Sequence, residues 1–513
     1  MKIQLLVIFV CFVACSRCPR EVATSLELAG DNRQQLEEVI RHYKKSRENE
    51  KLKAANFLIA NMKDKGTYIN ELVDNNEDPV GFNISNFKNE AEENAWLDSV
   101  KAIRGNLYSH EEFLPDLEHI TAEFLINNID KAFEVKRNSP FCKGISDTDF
   151  FEYILPYRVG YEKTEYWRDS VLTEFAGLKD TLYRFTTVLA ATNFVDNWYQ
   201  KQFKFGGGRY FKEKKVRNYS ELLRDKAGKC DDMCNLVVMG LRALGIPCGF
   251  DGVSYKRASD GVGHGWCFVL DTKTGKKYPF DALSNNGPGL FNVRDKNSPK
   301  VLRKQFAVVD NNSVKNNYDV IHPVFYMDNS VDVTLEYFET TDITFHLNKP
   351  YPVPLYLCIW HQGKWKPVDY YYNPDSANVN FYQVPKNNLY CLISYQSLKN
   401  EIIKEPFIIN KFEEIKYSSS LGVRRKVSLK GYKDKQLANI KDNKAIIYEF
   451  GWKNGHQKVS EKTMQKNSEN KKEEWIFSTD SLESNRFYFL SDVSQLKGRI
   501  FVLNENGKTV EWY

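Results

Sequence analysis

The sequence predicts an α+β protein with a helical N-terminal region, an α+β core in the middle of the chain and two β-sandwich-like domains after it. Apolar residues recur at helical spacing through most of the first 200 residues, and they alternate with polar residues after residue 322. A chain of 513 residues is also too long for one ordinary domain. We place the helical region at 21–140, the core at 141–310 and the two β domains at 320–412 and 413–513.

Composition excludes two classes of protein. A hydrophobic content of 42% is ample for packed cores, but a mean hydropathy of −0.52 excludes a protein that crosses the membrane many times. The net charge of +5 is small for 59.7 kDa and is spread along the chain. The sequence therefore indicates no nucleic-acid partner.

Residues 1–15 have the pattern of a signal peptide. Lys2 precedes an apolar run from Leu5 to Val13, which is too short to span a bilayer. Ala14-Cys15 resembles the end of a relaxed bacterial lipobox, which implies that Cys15 is lipidated; cleavage without lipidation is the alternative. We expect an exported cell-envelope protein, in the periplasm or at the outer membrane, that meets the membrane through a lipid anchor only.

The helical region opens with a capping pattern. Asp31 is a good N-cap residue with Gln34 three residues later, and apolar residues from Leu36 to Tyr43 follow at helical spacing. The same spacing recurs between Asp147 and Tyr199. It predicts helices that lead into the core and brace it.

Cys230 stands at the start of a further predicted helix. Apolar residues from Leu236 to Leu244 mark one helical face, and Gly245-Ile246-Pro247 ends the helix. The macrodipole and the unpaired N–H groups of a helix N-terminus favour a thiolate there. Asp231 and Asp232 act in the opposite sense, because nearby negative charge raises the pKa of a thiol.

Two further residues complete a chemical pattern. Strands are predicted at Cys248–Tyr255, Gly265–Asp271 and Tyr278–Ala282. His264 lies at the start of the second strand, 34 residues after Cys230, and Asp281 lies at the end of the third, 17 residues after His264. A thiol nucleophile needs a base that accepts its proton and a third group that orients the imidazole. Cys, His and Asp in this order therefore predict a catalytic triad.

The motifs around these residues resemble the transglutaminase-like superfamily, whose catalytic logic is papain-like. They are Gly228-Lys229-Cys230, Arg242 to Pro247, His264-Gly265-Trp266 and Phe280-Asp281. The resemblance implies Cys230 as nucleophile, His264 as base and Asp281 as the orienting acid. The superfamily includes protein-glutamine transglutaminases, peptidases, amidases and inactive members. Gly265 departs from the common pattern, in which Ala often stands between His and Trp. The rest of the chain resembles envelope proteins of Bacteroidetes that carry such a core.

An acyl-transfer site also needs donors aimed at the developing oxyanion. The backbone N–H of Cys230 is one candidate, and the side chain of Trp198 or Gln200 is another. Gly206-Gly207-Gly208 lacks the Lys-Ser/Thr of a phosphate-binding loop and is interpreted as a flexible rim of the core. The ten cysteines show neither a disulfide framework nor metal-ligand spacing. We therefore expect no cofactor and no metal.

The C-terminal part of the chain is rich in strand patterns. Alternation from Val331 to Tyr337 and from Ile343 to Leu347 opens the first β domain, and four strands from Ala445 to Leu503 are predicted in the second. The polar stretch Lys453–Glu474 is predicted to be a long loop. Trp365 is interpreted either as a packing residue or as a contact for a sugar or peptide.

Two functions compete at this point. The first is thiol-dependent acyl transfer on a peptide or protein amide through Cys230, His264 and Asp281, with hydrolysis favoured over transglutamination because hydrolysis needs only water. The alternative is a catalytically inactive envelope protein that binds a peptide, a glycan or another cell-envelope ligand through its β domains. An intact Cys-His-Asp set favours the enzyme.

Overall fold

The computed structural model describes most of the chain as two compact units. The described residues are 19–207, 209–210, 215–255, 262–285, 287–290, 300–309, 320–325, 329–361, 363–396, 399–410, 412, 415–417, 424–426, 428–432, 444–450, 456–466, 474–478, 482–491, 500–503 and 510–512. The first unit comprises the described residues up to Gly249, with Cys267–Gly289 and Gln305–Val308; the second comprises those of Phe250–Trp266, Leu290–Lys304 and Val309–Tyr513. The predicted signal peptide and Cys15 lie outside the described residues.

Helices dominate the first unit up to residue 138. Their apolar faces form one core, as the spacing predicts: Leu36, Val39 and Tyr43 of the second helix are fully buried. The elements are α1 (Arg20–Leu28), α2 (Arg33–Ser46), α3 (Asn49–Ala60), β1 (Gly66–Val73), α4 (Glu90–Arg104), β2 (Tyr108–Pro115), α5 (Asp116–His119) and α6 (Ala122–Asn138). Among the described residues, no helix combines the length and the apolar character that crossing a membrane requires.

β1 and β2 are a feature that the helical prediction for 21–140 missed. They pair antiparallel along their whole length, from Gly66 opposite Pro115 to Val73 opposite Tyr108. The first six residues of β2 are exposed. Because these strands bury no continuous apolar face, their sequence lacks the alternation by which a strand is recognised.

The next helices lead to the buried helix that starts at Cys230. The elements are α7 (Asp147–Tyr153), α8 (Trp167–Glu174), α9 (Lys179–Tyr183), α10 (Val188–Gln200), β3 (Lys204–Phe205), α11 (Tyr219–Asp225), β4 (Ala227–Gly228) and α12 (Cys230–Ala243). All residues of α12 from Cys234 to Ala243 are buried. Gly245 ends this helix with φ +70°, and a Cβ there would lie 2.4 Å from the Cβ of Ser139. Glycine is therefore required at this turn.

Five strands follow: β5 (Cys248–Tyr255), β6 (Val262–Asp271), β7 (Lys276–Phe280), β8 (Leu302–Lys304) and β9 (Ser330–Asp332). In the first unit β6 pairs antiparallel with β7, with Cys267 opposite Phe280. In the second unit β5 pairs with β8, and β8 pairs with β9. The boundary between the units falls within β5 and within β6.

The apolar run Phe306–Val309 forms no strand. The backbone N–H groups of Phe306 and Ala307 donate to the carboxylate of Glu152 at 2.7 and 3.0 Å instead. The N–H of Val308 donates to Asn61 Oδ1 at 2.8 Å. Side chains thus satisfy the backbone donors that a neighbouring strand would otherwise pair with.

The second unit continues into a two-layer β structure. The elements are β10 (Thr340–His346), β11 (Leu355–His361), β12 (Lys364–Tyr371), β13 (Asn378–Pro385), β14 (Asn388–Gln396), β15 (Lys399–Ile409) and β16 (Ile415–Tyr417). β10 and β13 form one sheet, and the other five form the second in the order β12-β11-β14-β15-β16. Phe345, Leu357 and Phe407 share the core that both sheets contribute to.

The last strands form a further β region. They are β17 (Arg424–Arg425), β18 (Ser428–Tyr432), β19 (Lys444–Glu449), β20 (Gln457–Thr463), β21 (Gln465–Lys466), β22 (Glu474–Ser478), β23 (Leu482–Glu483), β24 (Phe487–Ser491), β25 (Ile500–Leu503) and β26 (Val510–Trp512). Two of them, β20 and β21, lie within the predicted loop Lys453–Glu474. The mixture of helices followed by β-rich structure confirms the predicted α+β fold class.

Trp365 is a packing residue in this structure. Its ring lies 5.4 Å from that of Trp360 and 5.8 Å from that of Phe450, measured between centroids. Both tryptophans pack against a cluster that contains Leu389, Phe489 and other buried residues of the two β regions. The packing interpretation of Trp365 is therefore the one that its contacts support.

Candidate active site

Cys230 is the first residue of α12, as predicted. The preceding Lys229 is extended, with φ −88° and ψ 177°, so the helix starts abruptly at the cysteine. The side chain of Cys230 is half-buried, and its Sγ lies 3.8 Å from Oδ1 of Asp231. The thiol therefore stands at the N-terminus of a helix that is buried from Cys234 onward, and it is itself still partly exposed.

A buried carboxylate caps the start of this helix. Oδ2 of Asp232 accepts the N–H of Lys229 at 2.9 Å, which satisfies one of the donors that a helix leaves unpaired. Burial raises the pKa of Asp232 to about 6, even though the Lys229 N–H and Arg217 both favour its charged form. The fully buried Arg217 lies between Asp232, at 3.4 Å, and Asp225, at 3.1 Å. Arg217 therefore offsets the negative charge that the sequence places beside the thiol.

Gly228 makes this cap possible. A Cβ on Gly228 would lie 2.6 Å from the Cβ of Asp232 and 2.7 Å from its Oδ2. β3 pairs in parallel with β4, so that Gly206 N–H donates to Gly228 O at 2.8 Å. The glycine segment predicted to be a rim is thus bonded, at Gly206, to the residues just before Cys230; Gly208 lies outside the described residues.

We expect Gly228→Ala to destabilise the start of α12 by about 1–3 kcal/mol, because the new methyl group must displace the carboxylate of Asp232 or the backbone. Hydrogen exchange of a peptide that covers α11 to the start of α12 measures this loss. Gly177→Ala is the matched control, since nothing lies within 4 Å of a Cβ at Gly177. Equal exchange in the two variants would show that the cap does not depend on the glycine.

His264 lies on β6, in the part of the strand that belongs to the second unit. It is half-buried, and its ring centroid is 6.0 Å from that of Trp266, two residues along the strand. Alternate residues of a strand face the same side, so His264 and Trp266 share a face of the sheet. A Cβ on Gly252 of β5 would lie 3.1 Å from the carbonyl oxygen of His264, so the backbones approach closely there.

Buried charges support Trp266. The indole Nε1 donates to the hydroxyl of Tyr337 at 3.1 Å, and this hydroxyl donates to Asp251. The carboxylate of Asp251 also accepts two hydrogen bonds from Arg303, both at 2.8 Å. Burial raises the pKa of Asp251 although Arg303 and Tyr337 stabilise its charged form. The local sequence carried no signal for this group, because its members come from β5, β6, β8 and the segment after β9.

Asp281 directly follows β7 in the first unit and is half-buried. Its carbonyl oxygen accepts a hydrogen bond from Ser284 Oγ at 3.0 Å. Two residues after Asp281, Leu283 adopts a left-handed backbone conformation with φ +57°. The acid is therefore the first residue of a tight turn at the end of a strand.

The two side chains predicted as oxyanion donors have different surroundings on α10. Trp198 packs its ring 4.7 Å from that of Phe175. Gln200 donates its Nε2 to the carbonyl oxygen of Leu283 at 3.1 Å and lies 3.4 Å from Asn285 Oδ1. Gln200 thus lies beside the turn that follows Asp281.

Asp196 is a residue near the site that sequence reasoning missed. It lies one helical turn before Gln200 and is 1% exposed. Its Oδ1 accepts the N–H of Leu283 at 2.8 Å. Burial raises the pKa of Asp196 to about 7, and the Leu283 N–H offsets this only in part. An acid among the apolar residues of a predicted helix was the available signal.

The other cysteines near Cys230 are buried. Cys234, Cys248 and Cys267 are free thiols, and Cys267 Sγ lies 3.8 Å from the carbonyl oxygen of Cys234. Burial raises the pKa of Cys267 strongly. Within the described part of the chain, no group of three or more His, Cys, Asp or Glu side chains is arranged to hold a metal ion.

Residues 179–278 match the family model of the transglutaminase-like superfamily core, a segment that contains Cys230 and His264. Among solved structures, the chain is similar to a protein from Cytophaga hutchinsonii described as a candidate cysteine protease, with 17% identity and a TM-score of 0.18. That similarity covers 27% of this chain and 40% of the other chain. No curated protein matches the chain. The chain therefore carries a transglutaminase-like domain at residues 179–278.

Proposed function

We propose that the protein is a cysteine enzyme that transfers the acyl group of a peptide or protein amide, with Cys230, His264 and Asp281 as its catalytic triad. The observation that carries the proposal is the position of Cys230, half-buried at the first residue of a buried helix within the transglutaminase-like segment. A thiol in that position is activated by the helix N-terminus and remains accessible to substrate.

The reaction proceeds by two displacements. The thiolate of Cys230 attacks the amide carbonyl, and the protonated His264 gives its proton to the leaving amine, which leaves a thioester. Water, deprotonated by His264, then attacks the thioester and releases the acid and the free thiol. An amine in place of water would give transglutamination. Hydrolysis is the favoured outcome because it requires no site that excludes water.

Export and lipidation at Cys15 are part of the proposal for the whole chain, on the signal-peptide pattern of residues 1–15. An envelope location would give the enzyme peptides or proteins of the cell envelope as substrates. The β regions after residue 320 would then serve as further contacts for a peptide or glycan.

The test is the rate at which Cys230 is alkylated by iodoacetamide as a function of pH, read by peptide mass spectrometry on the full chain. We expect labelling well below pH ~8.5, the ordinary pKa of a free thiol, because a thiolate–imidazolium pair forms. His264→Ala is expected to slow labelling at pH 6 by at least about tenfold, since the thiol then titrates near its ordinary pKa. The exposed His119 supplies the control variant His119→Ala.

An ordinary thiol profile in the wild-type chain, unchanged by His264→Ala, would reject the enzyme and favour the inactive binding protein. Cys230→Ala identifies the labelled peptide without ambiguity. The other described cysteines are buried, so their alkylation is slow in the folded chain and does not obscure the signal.

A further inference from the structure

In the turn after Asp281, one helix binds both backbone polar groups of a single residue, Leu283. The N–H of Leu283 donates to Asp196 Oδ1 at 2.8 Å, and its carbonyl oxygen accepts from Gln200 Nε2 at 3.1 Å. Asp196 and Gln200 are four residues apart on α10, so they project from the same face of that helix. α10 therefore forms hydrogen bonds with both the N–H and the carbonyl oxygen of Leu283.

Leu283, which α10 binds in this way, has an unfavourable backbone conformation. Leu283 has φ +57°, in the left-handed region that a residue with a Cβ rarely adopts. Such a conformation persists only where the surroundings determine it. Leu283 is buried, and the two hydrogen bonds from α10 supply the required restraint.

α10 also approaches the turn at a second point. A Cβ on Gly287 would lie 2.0 Å from Oδ1 of Asn193, which is one turn before Asp196 on the same side of the helix. One face of α10 thus lies along the chain from Leu283 to Gly287, through the residues Asn193, Asp196 and Gln200.

Burial of a carboxyl group at this place is costly. Asp196 is 1% exposed, and among the described residues its carboxylate accepts one hydrogen bond, from the N–H of Leu283. A carboxyl group that is removed from water with one neutral donor costs folding free energy, and such groups cluster at functional sites. Here the carboxyl group of Asp196 binds the backbone of Leu283, two residues after Asp281, the predicted acid of the triad.

We propose that Asp196 is a positioning residue that, together with Gln200, fixes the turn Asp281–Leu283 and thereby the direction in which Asp281 presents its carboxylate. The inference rests on the proposed function, because it assigns Asp281 the role of orienting His264. Ser284 Oγ, which donates to the carbonyl oxygen of Asp281 at 3.0 Å, closes the same turn from inside.

This assignment gives Gln200 a role different from oxyanion binding. Its Nε2 carries two N–H groups, and the neighbouring acceptors are Leu283 O and Asn285 Oδ1. Both acceptors belong to the turn after Asp281. Gln200 therefore acts through the position of Asp281, and the backbone N–H of Cys230 remains the candidate oxyanion donor.

The experiment is a double-mutant cycle on the pH profile of Cys230 alkylation, with Asp196→Ala, Asp281→Asn and the double variant. Asp196→Ala is expected to slow labelling at pH 6 on the order of tenfold and to shift its pH midpoint upward, as Asp281→Asn does, because both weaken the support of the imidazolium. In the double variant the second change should add little, since both act through one group.

Two further variants separate positioning from mere folding. Asp196→Asn keeps an oxygen acceptor for the Leu283 N–H and is expected to retain the wild-type profile within about twofold. Asn197→Ala, an exposed residue of the same helix, is the matched control and should leave the profile unchanged.

The outcomes are distinguishable. An ordinary thiol profile in the wild-type chain would overturn the proposed function itself. A perturbed wild-type profile that Asp196→Ala leaves unchanged would overturn the positioning role alone. The positioning role would also be overturned if the effects of Asp196→Ala and Asp281→Asn on the labelling rate added fully in the double variant. Full additivity would show that the two residues act on labelling independently.

Discussion

Arg303→Met is expected to lower the free energy of local unfolding around β5 and β8 by about 3–5 kcal/mol at pH 7. Arg303 is 2% exposed, and it binds both oxygens of the fully buried Asp251 and both oxygens of Glu336. Methionine is apolar and leaves Asp251 buried without its cation. An uncompensated buried charge is far more costly than the loss of an exposed ion pair.

Hydrogen exchange of peptides that cover β5 and β8 measures this effect, and a loss of 3 kcal/mol corresponds to exchange more than about a hundredfold faster. The loss should be smaller at pH 5, because Asp251, whose pKa burial already raises, can then bind a proton. Arg33→Met is the control: Arg33 pairs with Glu37 at an exposed site, where about 0.5 kcal/mol or less is at stake.

Charge and packing are separated by a second variant. The double change Asp251→Leu with Arg303→Met removes both members of the pair and is expected to recover much of the loss. A double variant no more stable than Arg303→Met would mean that packing around Trp266, rather than the unpaired carboxylate, accounts for the effect.

Local patterns predicted the elements that bury an apolar face. The start of α12 at Cys230 and the bounds of β5 agree with the sequence prediction, because helical periodicity, a glycine stop and a β-branched or aromatic run are local signals. The strands β1 and β2 were missed because β2 is largely exposed and β1 shows no regular alternation of buried and exposed residues. β20 and β21 were missed because their residues are polar and lysine-rich.

A strand prediction also failed where a side chain accepts a hydrogen bond from a backbone N–H that strand pairing would otherwise use. The alternation from Val331 to Tyr337 predicts one strand, but β9 ends at Asp332, whose Oδ1 accepts the N–H of Thr334 and starts a short 3₁₀ turn. Such capping by a single aspartate competes with strand pairing and leaves the alternation intact in the sequence. Periodicity alone could not distinguish the two.

The residues that support the candidate site, Arg217 and Asp196, could not be predicted from the sequence for a different reason. Cys230, His264 and Asp281 are recognisable because their motifs are contiguous. Arg217 and Asp196 act on residues 15 and 87 positions away, and nothing beside them in the chain marks the partner. Their burial, which makes them important, is a property of the folded chain only.

Asp196 should make the stability of the first unit fall as the pH rises from about 4 to about 8. The pKa of its carboxyl is about 7 in the folded chain and about 3.9 in an unfolded one, so the folded chain binds the extra proton in this range. The contribution is complete below pH ~4 and is lost as the pH passes 7, and a pKa difference of about 3 between the folded and unfolded chains corresponds to about 4 kcal/mol. Asp196→Asn has no such titration.

The measurement is the difference in hydrogen-exchange protection of α10 between the wild-type chain and Asp196→Asn, at pH 5 and at pH 8 after correction for intrinsic exchange. We expect Asn to be the more stable side chain at pH 8 and to lose that advantage towards pH 5. Because the amide oxygen can still accept the Leu283 N–H, this gain should come without loss of Cys230 reactivity. A difference that does not change with pH would show that Asp196 stays ionised in the folded chain, so that its hydrogen bond from Leu283 outweighs its burial.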